Sequence, residues 1–347
     1  MDRILIVNVN WIGDVLFSTP AIRAIRKKYP KAYIASLVPP RGMGLLKNNP
    51  YLDEVIVGED KTSAAYLLKQ IPTILELRKR KFDTAVFFHR SRTRAWLAKL
   101  AGVPKRAGFE SPLGRRGLTR AFPSPSAATH RIDLFLDLVE KLGIQADGRG
   151  IDFFPAKEAE ETLSLLLERK GIHRNSPYVV LHAGGNWDMK RWPTGYFAEW
   201  IKLFLKKFSW TVVLCGQKPE EAISREISSY FSSREVVSLC GQTSLDELAI
   251  LLKRAKLLLS NDSGPLHLAA SQKTPLVGLF GPTSPEETGP VSEGPLVILR
   301  KDVGCEIPCY YRSCNYRVCM DWLTPEEVFE KTKEMLITND KAQMTNE

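Results

Sequence analysis

The amino-acid sequence predicts an α/β fold with two successive parallel sheets. Short apolar runs, typical of buried strands, alternate with amphipathic helical segments along the 347 residues. This alternation is typical of parallel sheets covered by helices on both faces. A stretch that contains Gly and Pro, residues 148–155, separates the elements into two series. We therefore expect two Rossmann-like domains, residues 1–155 and 156–322, followed by a C-terminal helix and a polar tail, residues 323–347.

The elements of each series follow from the period of their apolar residues. The first series predicts strands over 4–9, 33–38, 55–57 and 84–88, and helices over 13–29, 63–80, 92–101 and 131–142. Residues 102–129 are rich in Gly, Pro, Ser and Arg and predict a long loop. The second series predicts strands over 178–182, 211–215, 236–239, 257–260 and 275–280, and helices over 195–207, 220–230, 244–253, 265–270 and 325–335. Ligands of such folds bind at the carboxyl ends of the strands, so we sought functional residues there.

Composition and charge narrow the class of protein. With 44% hydrophobic and 25% charged residues, the composition is that of a soluble globular protein, and no stretch reaches the ~20 apolar residues of a membrane span. The chain enters a strand directly after Met1, so we expect no signal peptide and a cytoplasmic location. Residues 1–150 contain 26 Lys and Arg against 13 Asp and Glu, whereas the remainder contains 23 against 26. The first half therefore either binds an anionic partner or has a generally solvated basic surface.

The stretch from Ser260 to Ala270 is the most informative strand end. An apolar run leads into a polar turn, and Pro265 is suited to be the first residue of the next helix. A helix N-terminus has free N–H groups and about half a positive charge, which favours phosphate. Asp262 would repel a phosphate but can accept hydrogen bonds from sugar hydroxyls. The stretch predicts either a site for a diphosphate-linked sugar or an ordinary cap formed by Asp262 or Ser263.

The first strand ends at a turn with one glycine, Gly13, and Asp14 lies in the first turn of the following helix. A carboxylate in this position can accept a proton from a hydroxyl nucleophile. It can also stabilise the helix through the helix dipole alone. A single glycine does not match the fingerprint of dinucleotide-binding folds.

Two further strand ends have groups suited to phosphate. Gly184 and Gly185 follow the strand 178–182 and allow close approach of a ligand to the backbone. Lys190, in the loop that follows, could neutralise the charge of a leaving diphosphate. Alternatively, this loop is an exposed basic loop with Trp192 packed beneath it. The loop 281–290 contains Thr283, whose hydroxyl could bind phosphate, or is a plain Pro- and Gly-containing connection.

Basic residues after the strand 84–88 form a candidate acceptor patch. Arg90, Arg92 and Arg94 follow this strand, and arginine pairs with carboxylates and phosphates in a bidentate manner. A nucleic-acid site would more often contain interleaved exposed aromatic residues, which are few here. The further candidates for this patch are Arg41, Lys105, Arg106, Arg115, Arg116 and Arg120.

Four cysteines lie within a short C-terminal segment, at positions 305, 309, 314 and 319. The spacing C-x3-C-x4-C-x4-C matches neither a common zinc pattern nor a ferredoxin pattern. The cluster is either a structural metal or iron–sulfur site or a set of reduced packing thiols. Cys215 and Cys240 lie at strand ends and are predicted to belong to the core.

In their order along the chain, these motifs resemble those of the ADP-heptose:lipopolysaccharide heptosyltransferases, glycosyltransferase family 9. The resemblance extends over nearly the whole chain. The cysteine cluster, followed by Leu323-Thr324-Pro325, is similar to the heptosyltransferase II branch, although residues 315–318 lack the histidine that this branch often has there. The motifs concerned are Ile12-Gly13-Asp14-Val15, Lys190-Arg191-Trp192-Pro193, the segment Asn261-Asp262-Ser263-Gly264-Pro265 with His267, and Phe280-Gly281-Pro282-Thr283.

The resemblance implies a GT-B fold, in which two Rossmann-like domains face a central cleft and the last helix packs back towards the first domain. It implies an inverting, metal-independent transfer of heptose from ADP-heptose to the anionic inner core of lipopolysaccharide, without a cofactor. Asp14 would be the general base, and Lys190 would stabilise the ADP leaving group together with a helix N-terminus. The other implied donor-binding residues are Gly184, Gly185, Glu220 (in preference to Glu221), Asp262, Ser263, Gly264, His267 and Thr283, and the implied acceptor-binding residues are Asp14, Arg90, Arg92 and Arg120.

The resemblance also implies a monomer that could contact the inner face of the inner membrane and binds no nucleic acid. Two alternatives remain open at this point. One is another GT-B enzyme, with a different nucleotide-sugar donor or with sugar-nucleotide epimerase activity. The other is a basic, metal-containing nucleic-acid-binding protein, which would explain the charge and the cysteines but not the placement of Asp14, Lys190 and Asp262 at strand ends.

Overall fold

The computed structural model describes residues 1–58, 68–111, 115–126, 128–311 and 313–344. Contacts between residues separate the chain into two compact units, Met1–Phe154 and Pro155–Glu347. Each unit contains a six-stranded sheet in which all strand pairs are parallel. The alternation of apolar runs and helical segments thus produces the predicted α/β architecture.

The sheet of the first unit has the strand order β3-β2-β1-β4-β5-β6, so the order reverses between β1 and β4. Ligands of doubly wound sheets bind at such a reversal. The strands are β1 (Arg3–Val7), β2 (Tyr33–Val38), β3 (Glu54–Val57), β4 (Thr84–Phe87), β5 (Lys105–Phe109) and β6 (Arg120–Phe122). The helices are α1 (Ile12–Phe17), α2 (Thr19–Lys28), α3 (Pro40–Leu46), α4 (Ile71–Lys79), α5 (Arg92–Leu100) and α6 (Arg131–Lys141).

Two predictions for the first unit are corrected, and a third is confirmed only over the residues that the structure describes. The predicted loop 102–129 contains β5 and β6. Strand β5 pairs with β4, and β6 pairs with β5, so both are held by backbone hydrogen bonds that no local apolar run predicts. The predicted helix 13–29 is two helices, since the Ser18 hydroxyl donates to the Val15 carbonyl at 2.7 Å and ends α1 there. The predicted helix 63–80 is helical from Leu68, and residues 63–67 lie outside the described part. Helix α3 was not predicted.

The sheet of the second unit has the order β12-β11-β10-β7-β8-β9. All five predicted strands are present, and β12, α7 and the short helices α12 and α13 were missed. The strands are β7 (Tyr178–His182), β8 (Thr211–Leu214), β9 (Val236–Ser238), β10 (Leu258–Asn261), β11 (Leu276–Phe280) and β12 (Leu296–Arg300). The helices are α7 (Ala159–Arg169), α8 (Thr194–Lys207), α9 (Glu221–Ser228), α10 (Leu245–Arg254), α11 (Gly264–Ser271), α12 (Pro285–Thr288), α13 (Val318–Asp321) and α14 (Pro325–Met344).

Aromatic side chains of α8 fill the core of the second unit. Trp200 and Phe204 are fully buried and stack at a centroid distance of 5.0 Å. The C-terminal helix α14 packs against α8, and the Trp192 indole donates to the Leu323 carbonyl at 2.7 Å just before it. The predicted packing of α14 towards the first domain stays a prediction. Within the described residues, no helix has the length and apolarity that a membrane crossing needs.

Candidate functional site

The carboxyl ends of β7 and β10 are adjacent in the second unit, because the two strands are parallel neighbours. The fully buried Asn261 side chain donates to the carbonyls of Ala183 and Gly184, both at 3.0 Å. It accepts from the backbone N–H of Trp192 at 3.0 Å. Asn261 therefore ties the end of β10 to both ends of the β7–α8 connection, residues 183–193. The sequence analysis gave this residue no function, although a polar amide at the end of an apolar strand is a usable signal.

Asp262 follows Asn261 and is almost completely buried. Its Oδ2 atom lies 2.6 Å from Nζ of Lys190 and accepts a 2.8 Å hydrogen bond from the hydroxyl of Thr283. Nε2 of His267 lies 4.0 Å from the other carboxylate oxygen. The structure thus brings together four predicted donor-site residues from three motifs. Because only 18% of the Lys190 side chain is exposed, the loop is not merely a solvated basic loop.

Helix α11 begins at Gly264, one residue before the predicted start, with Ser263 as its N-cap residue. The Ser263 side chain makes no capping hydrogen bond, because its hydroxyl lies 2.9 Å from Nδ1 of His182. The Asp262 side chain is paired with Lys190. The alternative of an ordinary helix cap is therefore wrong. The backbone donors at the start of α11 are not capped by either side chain, which is the arrangement that anion binding requires.

Glu220 lies directly before α9, and both of its carboxylate oxygens accept hydrogen bonds. Oε1 accepts from the backbone N–H of Gly185 at 2.8 Å, and Oε2 accepts from that of Gln217 at 2.7 Å. Oε2 also lies 3.4 Å from Nε2 of His182. Burial alone would raise the pKa of Glu220, but His182 and these backbone donors outweigh it and lower the pKa to about 2. The carboxylate is therefore ionised at every physiological pH.

His182 connects this carboxylate to the start of α11, since its two ring nitrogens face Glu220 and Ser263. It is 3% exposed, and the sequence analysis did not assign it to the site. Gly184 is required by the same packing, because a Cβ there would lie 1.7 Å from Oε1 of Glu220. The competing candidate, Glu221, is the first residue of α9 and makes none of these contacts.

In the first unit, Asp14 lies in a pocket at the switch point between β1 and β4. Asp14 is half-buried in the first turn of α1. The pocket has a volume of about 220 Å³, below the ~300–1,000 Å³ of typical ligand sites, which suits one sugar ring or one polar group. The pocket is lined by Val9, Asn10, Trp11, Asp14, Phe88, His89, Arg90, Arg131, Leu134 and Phe135.

The predicted acceptor patch is only partly assembled. Arg90 lines the pocket and donates to the Ser124 hydroxyl at 3.2 Å. Arg94 is 4% exposed and donates to the Asn8 carbonyl and the Asn10 side chain, so its assignment to a surface patch is wrong. The side chain of Arg92 lies outside the described part, and its backbone begins α5.

Arg120 is not brought close to Arg90. It donates to the Lys141 carbonyl at the end of α6, about 15 Å along that helix from its start beside the pocket. Arg106 and Arg115 also have partners close by in the chain. Arg106 donates to the Gly117 carbonyl at 2.6 Å, and Arg115 forms an ion pair with the Glu110 carboxylate at 2.7 Å. Basic residues that form one group in the sequence are thus distributed over the unit.

A family model described as glycosyltransferase family 9 (heptosyltransferase) matches residues 73–317. This match covers well over half of the chain. The chain belongs to glycosyltransferase family 9. The lipopolysaccharide heptosyltransferase 2 of Escherichia coli K12 is 26% identical to it, over 97% of this chain and 99% of the relative.

Solved structures with the same fold include two heptosyltransferases. The structure of Escherichia coli ADP-heptose lps heptosyltransferase II has a TM-score of 0.81 at 23% identity, covering 97% of this chain and 99% of that one. Escherichia coli heptosyltransferase WaaC with ADP-2-deoxy-2-fluoro heptose has a TM-score of 0.72 at 21% identity, covering 96% and 99%. The predicted α/β fold of the GT-B class is confirmed, and the family makes this protein a glycosyltransferase.

The cysteine-rich segment of this family 9 protein differs from the packing thiols of the core. Cys305 and Cys314 are exposed, so the interpretation as packing thiols is wrong for them. Burial raises the pKa of the half-buried Cys319 thiol, and the neighbouring cysteines raise it further. Across the described ranges, no group of three or more His, Cys, Asp or Glu side chains is arranged to hold a metal ion. Cys215 and Cys240 are buried, as predicted.

Proposed function

We propose that the protein transfers heptose from ADP-heptose to the inner core of lipopolysaccharide with inversion at the anomeric carbon. The observation that carries the proposal is the buried pair of Lys190 and Asp262 beside the uncapped start of α11. This arrangement offers a cation and backbone donors for a diphosphate next to a carboxylate for sugar hydroxyls. The named functions of the Escherichia coli relatives support the choice of donor and acceptor.

In the proposed reaction, Asp14 accepts the proton of the acceptor hydroxyl. The hydroxyl oxygen forms a bond to the anomeric carbon, and the bond from that carbon to the phosphate oxygen breaks. ADP leaves with the electron pair, and Lys190 and the first backbone N–H groups of α11 stabilise its charge. A cation and a helix terminus perform the task that a divalent metal performs in other transferases, so we propose that no metal is needed.

The remaining donor-site residues have distinct tasks in this proposal. Asp262 binds sugar hydroxyls through the carboxylate oxygen that faces His267. Glu220, beside Gly184 and Gly185, binds the ribose hydroxyls of the ADP group, and Thr283 positions Asp262. We further propose a cytoplasmic monomer whose basic first unit contacts the anionic inner face of the membrane while it binds the acceptor.

The deciding experiment is transfer from ADP-heptose to defined core acceptors, with and without a chelator. We expect a glycosylated product of inverted anomeric configuration by NMR and no effect of the chelator. A parallel reaction with a UDP-sugar, and competition by ADP against UDP, tests the alternative of a different donor. Transfer only from UDP-sugars, retained configuration or loss of activity with chelator would each contradict the corresponding part of the proposal.

A further inference from the structure

The pocket at the switch point of the first unit contains two arginines and one carboxylate. Arg131 is the first residue of α6 and is half-buried, and Arg90 follows the carboxyl end of β4. Both side chains line the pocket together with Asp14. Within the described parts of the chain, neither arginine has a carboxylate within ion-pair distance, and Arg90 has only the Ser124 hydroxyl. The pocket therefore has an excess of positive charge.

This arrangement differs from that of two other arginines in the same unit, Arg23 and Arg80, which are ion-paired with nearby carboxylates. Arg23 pairs with Asp147, and Arg80 pairs with Glu54 and Glu76. Burial, followed by repulsion from Arg131, lowers the pKa of Arg90. Two guanidiniums that repel each other in a pocket are stabilised when an anion enters between them.

The walls of the pocket strengthen such an interaction. Phe88 and Phe135 lie with ring centroids 5.0 Å apart and are almost fully buried, and both line the pocket. Apolar walls exclude water, and charge pairs are stronger where water is excluded. Arginine is suited to this task because its planar fork binds both oxygens of a carboxylate or phosphate.

We propose that Arg131, together with Arg90, binds a carboxylate or phosphate group of the acceptor beside the hydroxyl that Asp14 deprotonates. This inference rests on the proposed function, and it adds a specificity-determining residue, Arg131, outside the predicted acceptor set. The limited volume of the pocket places the anionic group and the reacting hydroxyl on the same sugar or on directly linked ones. The enzyme therefore selects acceptor hydroxyls that have an anionic neighbour.

The first test measures equilibrium binding by calorimetry, so that it does not depend on transfer. The probes are a defined inner-core acceptor, its carboxyl-reduced form and its dephosphorylated form. We expect Arg131→Gln to weaken binding of the anionic acceptor by about 10- to 100-fold, the effect of losing a hydrogen bond to a charged group. Wild type should bind one of the two modified forms as weakly as Arg131→Gln binds the unmodified acceptor. That form shows whether the carboxylate or the phosphate is the bound group.

Matched variants distinguish the effect of the pocket arginines on binding from a general effect of net charge. Arg78→Gln removes the same charge from an exposed position on α4 of the same unit and should leave binding unchanged. Arg90→Gln should weaken binding, and Arg131→Lys should restore it only in part, because lysine keeps the charge but loses the fork. Thermal unfolding of each variant confirms that it is folded.

Transfer kinetics provide the second test. With the anionic acceptor, Arg131→Gln should raise the KM for the acceptor by about the factor by which it weakens equilibrium binding. ADP binding should stay at the wild-type value. Equal binding losses in Arg131→Gln and Arg78→Gln, or no preference of wild type for the anionic probes, would overturn the proposal. Absence of transfer by wild type with every acceptor would instead refute the proposed function, and the binding measurements would still decide whether the anion site exists.

Discussion

Nζ of Lys190 lies 2.6 Å from Oδ2 of Asp262, although the two residues are 72 positions apart in the chain. Their motifs suggested separate tasks, a cation for the diphosphate and a carboxylate for the sugar. The structure makes them one ion pair, with 18% and 4% of the side chains exposed. Each residue is therefore the buried ion-pair partner of the other, and the two tasks are coupled.

The first prediction uses this coupling. Lys190→Met should destabilise the protein by about 3 kcal/mol, because it leaves the buried Asp262 carboxylate without its cation. The double variant Lys190→Met with Asp262→Asn should recover most of the lost free energy of unfolding, measured by denaturant titration. It should not recover ADP-heptose binding. Recovery of both quantities would mean that Lys190 acts only as a structural partner.

The second prediction concerns the proposed general base. Asp14→Asn should lower kcat by about 10²- to 10⁴-fold, since the amide cannot accept the proton, and should leave ADP binding unchanged. Asp133→Asn is the matched control, because Asp133 also lies in the first turn of a helix in the same unit. Both changes should cost about 0.3–1 kcal/mol of helix-dipole stabilisation. If the two variants keep similar activities, Asp14 serves only the helix dipole.

The third prediction tests the packing of Glu220. Gly184→Ala places a Cβ 1.7 Å from Oε1 of Glu220 and must displace that carboxylate. We expect weaker ADP binding and a lower melting temperature. Gly195→Ala adds the same methyl group in α8, where nothing lies within 4 Å, and should change neither quantity. Normal ADP binding by Gly184→Ala would argue against a donor-site function of Glu220.

The fourth prediction concerns pH. The pKa of Glu220 is lowered to about 2 in the folded protein, from an ordinary value of 4.5. A group with a depressed folded pKa stabilises the protein fully above its unfolded pKa, and this stability disappears as the pH falls through the folded value. The difference in melting temperature between wild type and Glu220→Gln should be constant from pH 7 to about pH 5 and should shrink below about pH 4.5. A difference that does not change down to pH 3 would contradict the assigned ionisation.

The fifth prediction addresses Asn261, which ties the end of β10 to the β7–α8 connection. Asn261→Ala removes its hydrogen bonds to two carbonyls and one N–H group, and each buried group left without a partner costs about 1–3 kcal/mol. We expect a clear loss of stability and a lower kcat/KM for the donor, because the loop that contains Lys190 is no longer held. Retention of wild-type stability would show that water or loop movement satisfies these groups.

The strand ends near the candidate site residues could be predicted because each combines a buried apolar run with a polar turn. That local pattern located Asp14, Lys190 and Asp262. Partners that approach from distant positions could not be predicted, since no local pattern indicates that His182 lies between Glu220 and Ser263. The same holds for β5 and β6, whose stability comes from pairing along the edge of the sheet.

The alternation of strands and helices and the division into two series follow from the sequence alone. So do the excess of positive charge in the first series and the motifs that match family 9. These are local or additive properties of the chain, and periodicity and composition report them directly. Which side chains lie together depends on the tertiary structure. It paired Lys190 with Asp262, buried Arg94, separated Arg120 from Arg90 and placed Arg131 beside Arg90. Electrostatic and hydrogen-bonding energies depend on distances of a few ångströms between side chains, and those distances arise only when the strands pair and the helices pack.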